Sequence, residues 1–243
     1  MEALLEADKF TGLLASKHRV LMLGGLAIIA HGLARKTKDV DIWMEPMASP
    51  ETWAAQLADC VSIFEGSRFW SLGDRRYLDV DELAQEIETF GVVRVTGLDR
   101  DVDVFREPNE LGLDDFDQVW TDFDRELAGG VRLPSEIDLY LSKSNTGRMQ
   151  DLNDQLFLES KIKSRYRDQL PSCDLEEAVH LLSRFLDPEI LQSALENPNR
   201  DVRELALRYL REFEVEGDPY SRDILAIWNE PGKDEIPSPP PFL

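Results

Sequence analysis

The chain has little cysteine, little histidine and a shortage of positive charge. Cys60 and Cys173 are the only two cysteines in 243 residues, and they lie far apart. They match no metal or redox spacing, so reduced thiols and a cytoplasmic setting are expected. Of the three histidines, His18 and His180 have no partners in the sequence, and His31 sits among apolar residues beside a glycine, where a packed helix end is expected. No apolar run approaches the roughly 18 residues that a membrane-spanning helix needs. The opening MEALLEADKF carries acidic residues where a secretory leader carries basic ones, so export is not expected. Lysine and arginine total 27 against 48 aspartate and glutamate, a net charge of −21. That balance argues against a broad nucleic-acid surface but leaves room for a local cationic cleft. It also makes D-x-D pairs common by chance, so each must be judged by its surroundings.

What is present reads as a soluble globular protein, with 42% hydrophobic and 31% charged residues. The length suits one large domain or two small ones. Residues 2–17 carry a helical apolar face through Leu4, Leu5, Phe10, Leu13 and Leu14. The run 19–23 reads as a strand closed by Gly24-Gly25, followed by a short helix and the alternating strand DVDIW. A helix is expected over 50–66 behind the cap Ser49, and strands at VVRVTG and DVDVF. From Ser135 one helical pattern is expected to run to about residue 162, and 172–229 reads as amphipathic helix. The tail IPSPPPFL is expected to be extended or disordered. The expected fold is thus α/β (α+β), a small mixed sheet flanked by helices, with an all-α C-terminal region. Its divisions are expected at 1–134, 135–170 and 171–243.

Asp39 and Asp41 are two apart on an expected strand, so their side chains leave the same face. Two neighbouring carboxylates repel unless a cation neutralises them, and oxygen-only ligands suit Mg²⁺ or Mn²⁺. Asp103, in DVDVF, is the natural third ligand, with Asp101 its competitor on the same face. Gly24 and Gly25 would let a phosphate approach the backbone, although a tight strand-to-helix turn accounts for them equally well. Asp79 and Asp81 form a second D-x-D, but they precede a helix without a glycine turn and read as a cap.

The pattern of GG, thirteen residues, DVD and a later strand aspartate resembles the polymerase-β-like nucleotidyltransferase superfamily. The finer resemblance is to AbiEii-like bacterial nucleotidyltransferases of the toxin type. It runs through Gly24, Gly25, Ala27, His31, Gly32, Arg35, Thr37, Lys38, Asp39 and Asp41, then Lys143, Arg148, Asp151 and Asp154. It spans residues 20–158 and not the C-terminal part. The resemblance implies a nucleotidyltransferase-type sheet, with Asp39, Asp41 and Asp103 holding divalent metal. It further implies Gly24 and Gly25 along the triphosphate of an NTP, with Arg35, Thr37, Lys38 and Arg148 around the nucleotide. Lys143 would reach the β- or γ-phosphate, and Asp151 would anchor the basic side chains. The implied acceptor is a hydroxyl of RNA, protein or a small molecule, and the implied setting a toxin–antitoxin or phage-defence system with a cognate antitoxin partner. The other reading is a nucleotide-binding or protein-interaction module that keeps this fold with its catalytic site lapsed.

The basic stretch KIKSRYR (161–167) could contact a nucleotide or RNA, but a solvated helix end explains it more simply. Trp43 and Trp120 are expected in the core.

Overall fold

The computed structural model describes residues 5–144 and 146–228. The proline-rich tail and the segment 229–243 lie outside the described residues, as do Leu4 of the first helical face and Asn145. The chain divides into two compact units, Met1–Glu159 and Ser160–Leu243. No described helix is long and apolar enough to cross a membrane.

The first unit is mixed α/β. Its eight described strands are β1 (Val20–Leu23), β2 (Val40–Met44), β3 (Arg68–Trp70), β4 (Tyr77–Leu78), β5 (Val92–Thr96), β6 (Val102–Phe105), β7 (Arg125–Glu126) and β8 (Arg132–Leu133). They form one sheet in the order β4-β3-β5-β6-β2-β1-β8-β7. Pairing is parallel at β2–β6 and β1–β8 and antiparallel elsewhere. The sheet is wider than the small one expected, because β3, β4, β7 and β8 add edges of two or three residues each.

Alternation sorts the two faces. Val40, Ile42 and Met44 of β2, Val93 and Val95 of β5, and Val102 and Val104 of β6 point to one side. There they meet helices α1 (Glu6–Lys17), α3 (Pro50–Val61) and α4 (Leu83–Phe90) through Phe10, Leu14, Trp53, Leu57, Leu83 and Ile87. Burying each of these large side chains is worth about 1.5–3 kcal/mol, so this layer fixes the register of the central strands. Ser49 caps α3 by accepting the Thr52 N–H, and Gly91 ends α4 at φ +68°, a conformation that favours glycine. The first helix keeps Phe10 and Leu14 buried, while Leu5 is half-exposed ahead of it.

On the other face, α2 (Gly24–Ala30), α5 (Phe116–Thr121) and α6 (Glu136–Ser142) pack on Leu21, Leu23, Trp43 and Leu133. Trp43 is fully buried, and its indole N–H donates to the Arg106 carbonyl at 2.9 Å. The helical pattern expected to open at Ser135 is two helices. Ser135 caps α6, which stops at Ser142, and α7 (Met149–Gln169) starts afresh after Gly147 at φ +67°. The division between the two units falls inside α7.

The second unit is helical throughout its described residues, with α8 (Leu175–Arg184), α9 (Pro188–Ala194), α10 (Arg200–Val215) and α11 (Pro219–Trp228) beside the end of α7. On α10, Val202, Ala206 and Leu210 at four-residue spacing are the buried stripe. Asn197 donates to the carbonyls of Leu170 and Cys173 at 2.6 and 2.9 Å, tying the helix connections together. In KIKSRYR, Lys163 pairs with Asp187 at 2.8 Å and Arg167 with Glu189 at 3.1 Å, while Tyr166 is core. The run thus lies within α7, with Lys163 mostly buried in its ion pair and Arg167 half-exposed, rather than forming a solvated helix end.

Candidate functional site

The face that carries Trp43 also carries the chemistry. In β2 the alternation that buries Val40 and Ile42 turns Asp41 the other way, and in β6 it does the same for Asp103. Because β2 and β6 run parallel in register, Asp41 and Asp103 are lateral neighbours. The antiparallel partner β5 sets Arg94 beside Asp103, and β1 sets Leu23 beside Asp41. One row across four strands therefore reads Arg94, Asp103, Asp41, Leu23, with the Gly24-Gly25 turn at its end.

The row is electrostatically uneven. Neighbouring strands are about 4.8 Å apart, and at an effective dielectric of about 20 two like charges at that distance repel by roughly 3 kcal/mol. Asp103 is relieved by Arg94, whose Nε and Nη2 donate to its two oxygens at 2.6 and 2.8 Å. Arg94 also lies 3.7 Å from Asp39 and 3.7 Å from Asp101. The hydrogen bonds to Asp103 hold its guanidinium above its ordinary pKa against the cost of partial burial, with Asp101 and Asp39 adding to them. Among the described residues, Asp41 has no such bidentate cation. Burial, then Asp103, then Asp39 push its carboxyl up to about 6, only partly offset by Lys143 and a hydrogen bond from the Gly25 N–H.

The glycines are explained by what they touch. Gly24 sits at φ +57°, and a Cβ there would overlap the Asp41 carboxylate. A Cβ on Gly25 would overlap the Arg35 guanidinium and come within 2.7 Å of the Thr37 hydroxyl. Both positions are thus held to glycine by the close approach of side chains in the site itself.

Facing the acidic row is a basic bank. Residues 35–38 line a cleft of about 830 Å³ together with Asp39, Asp41, Arg94, Asp103, Lys143, Arg148 and Asp151. Lys36 and Lys38 are exposed and form no ion pair among the described residues, while Thr37 donates to Asp39 at 3.0 Å. Lys143, at the C-terminal cap of α6, donates to Asp151 of α7 at 2.8 Å and lies 3.7 Å from Asp154. Burial opposes ionisation of Asp151, but the Lys143 ammonium, with Thr146 and Arg148, holds its carboxyl below the usual range. Asp154 is almost wholly buried and binds Arg35 at 2.5 Å, across 119 residues of chain. Turned so that its oxygen faces Arg35, the Gln150 amide accepts from both terminal guanidinium nitrogens at 2.9 and 2.8 Å.

Asp39, Asp41, Asp103, Gly24, Gly25, Arg35, Thr37, Lys38, Lys143, Arg148 and Asp151 therefore all border one cleft. The acidic side chains share a face but, among the described residues, no three stand at ligand spacing. Lys143 and Arg148 belong to the break between α6 and α7 rather than to one helix, and Arg148 is largely exposed. Asp101 flanks the row without joining it. Asp79 lies at the start of a helical turn, its N–H donating to Glu82 at 2.8 Å, as the capping reading expects. His31 ends α2, its Nε2 3.0 Å from the Pro134 carbonyl and its Nδ1 3.6 Å from Glu136. Arg94 was not foreseen, although the alternation in VVRVT marks it as the one charged residue between buried valines. The oxygen donors of the acidic row are all carboxylates, with Arg94 beside them, and hard oxygen ligands of this kind fit a divalent cation. No protein-family model matches the chain, and no curated protein matches it.

Proposed function

We propose that the first unit is a metal-dependent nucleotidyltransferase core, which moves an NMP from an NTP to an acceptor hydroxyl. The observation that carries this reading is the lateral pair Asp41 and Asp103, with Asp39 beside it, facing lysines and arginines across one cleft. The nucleotidyltransferase-type reading of the sheet rests on the same pair of strands and on the resemblance of the motifs.

Asp39, Asp41 and Asp103 would hold Mg²⁺ or Mn²⁺. Asp103 accepts two hydrogen bonds from Arg94, but a carboxylate offers about four lone-pair sites, so it retains capacity for a cation. When bound, the metal supplies charge neutralisation for the triphosphate and for the oxygens that gain charge during transfer. Everything else falls to the chain. Gly24 and Gly25 keep the backbone clear beside Asp41. Arg35, Lys36, Thr37 and Lys38 line the approach of the triphosphate with positive charge and hydrogen-bond donors. The Lys143 ammonium, a compact charge on a flexible stem, stabilises the departing pyrophosphate. Asp151 and Asp154 orient Lys143 and Arg35 and keep them from collapsing onto the acidic row. The acceptor oxygen attacks the α-phosphorus in line, the bond to the β-phosphate oxygen breaks, and the acceptor proton passes to a carboxylate of the row or to water.

The test is transfer of label from each α-labelled NTP, with Mg²⁺, into RNA or protein of a cell extract by the purified chain. Label transferred by the wild type and abolished by Asp41→Asn, at unchanged circular dichroism, is the expected result. Full transfer by Asp39→Asn/Asp41→Asn overturns the proposal.

A further inference from the structure

We propose that Arg94 is a resident cation that occupies Asp103 in the metal-free protein and lowers its affinity for free divalent metal. Full engagement of the acidic row then awaits a metal that arrives with nucleotide. The inference rests on the metal-dependent reading of the cleft, and makes Arg94 a positioning residue within it.

Three observations support it. Arg94 grips both oxygens of Asp103 through Nε and Nη2 at 2.6 and 2.8 Å, a side-on bidentate pair whose two charge-assisted hydrogen bonds make it strong. The same guanidinium stands 3.7 Å from Asp39 and 3.7 Å from Asp101, so one positive charge is shared among three carboxylates. Its placement is built in rather than a chance rotamer. Arg94 is the direct cross-strand partner of Asp103, flanked along β5 by the fully buried Val93 and Val95, which hold the strand in register.

The balance of charge gives the consequence. Arg94 offsets part of the negative charge that Asp39, Asp101 and Asp103 present beside Asp41, so a divalent ion there meets a weaker attraction. A free metal ion therefore reaches the remaining lone pairs of Asp103 only against the positive charge of the guanidinium that holds both its oxygens. A nucleoside triphosphate brings several negative charges of its own, which can bind both the metal and the nearby cations and so make the exchange favourable. The chain would thereby discriminate against metal without nucleotide.

The experiment measures Mn²⁺ binding to the full chain by electron paramagnetic resonance, with and without a non-hydrolysable NTP analogue, for wild type, Arg94→Met, Arg94→Lys and Asp41→Asn. Arg94→Met is expected to bind Mn²⁺ about ten-fold more tightly without nucleotide, the effect of removing one nearby positive charge. With the analogue the difference should shrink to about two-fold or less, because the triphosphate already bears on the exchange. Its melting temperature without metal should fall and be restored by saturating Mg²⁺. Arg94→Lys, which keeps the charge but not the bidentate grip, should tighten binding less, and it decides the matter should Arg94→Met fail to fold. A purely structural role predicts the opposite sign, weaker Mn²⁺ binding alongside lost stability, and that result or an unchanged affinity overturns the inference. If wild type binds Mn²⁺ in a manner abolished by Asp41→Asn and the Arg94 variants do not bind it more tightly, only the role of Arg94 falls. If wild type binds no Mn²⁺ even with the analogue, the metal-dependent reading falls and this one with it.

Discussion

The Asp41 carboxylate lies against Gly24 with no space for a methyl group between them. Gly24→Ala therefore suffers twice, from a side chain at φ +57° and from displacement of the carboxylate. A strained backbone of this kind costs about 1–3 kcal/mol, measurable by urea unfolding. Gly32, at φ +110° with open space around it, supplies the control. Gly32→Ala should lose stability alone, whereas Gly24→Ala should also lose Mn²⁺ binding.

Asp41 predicts a pH dependence. Its carboxyl is held at about 6 against 3.8 for the unperturbed group. The folded protein thus binds this proton more tightly than the unfolded chain does. The associated stability is fully present below about pH 4 and is lost as pH rises through about 6. In EDTA the unfolding free energy should carry a falling component across that window, worth up to about 3 kcal/mol. Asp41→Asn should remove that component and exceed wild type in stability near pH 8, while saturating Mg²⁺ should flatten the wild-type curve. Urea titrations across the window would show a rising contribution instead if the carboxyl were depressed.

Arg35 and Asp154 form a pair in which the carboxylate is almost wholly buried. Breaking such a pair from one side costs about 3–5 kcal/mol, because a charge is left uncompensated. Arg35→Met should approach the lower end of that range, since Lys143 remains 3.7 Å from Asp154. Arg35→Met/Asp154→Leu should cost much less than the sum of the single changes. A thermal or urea double-mutant cycle measures the difference, and simple additivity would show that the two residues are not coupled.

Lys143 should divide nucleotide binding from metal binding. Losing a hydrogen bond to a charged group costs about 1.5–3 kcal/mol, so Lys143→Ala should weaken a non-hydrolysable NTP by roughly ten- to a hundred-fold. The variant's affinity for Mn²⁺ alone should not fall, since the Lys143 charge acts on Asp41 and its loss favours a cation there. Calorimetric titration of each ligand separates the two effects, and equal loss of both would mean that Lys143 supports the acidic row rather than the phosphates.

Much of the acidic bank was legible because its residues announce their geometry locally. In DVDIW and DVDVF the valines and aspartates alternate, so a strand places the carboxylates on one face without further information. The strand, Gly-Gly and helix sequence was readable for the same reason. The basic bank was not, because it depends on contacts between distant segments. Nothing near Arg35 marks Asp154, 119 residues away, as its partner. Arg94 could be assigned a face by alternation, but its role needed the pairing of β5 with β6. The break after Ser142 was hidden by a continuous helical pattern, although Gly147, at φ +67°, stands just where α7 must restart. Strands of two or three residues, such as β4 and β7, are too short to show a period at all.

The interleaving of valine and aspartate in β6 also guards assembly of the chain. Were this strand to pair one place out of step, Asp103 would be thrust among the valines, tryptophan and leucines beneath the sheet. An unpaired carboxylate in such surroundings is penalised by several kcal/mol, whereas a cross-strand neighbour contributes roughly 0.2–1 kcal/mol. Mis-threaded intermediates are thereby made unfavourable by the very side chains that bear the chemistry. Swapping Asp101 and Asp103 for threonine would remove that penalty and should slow refolding by admitting competing pairings.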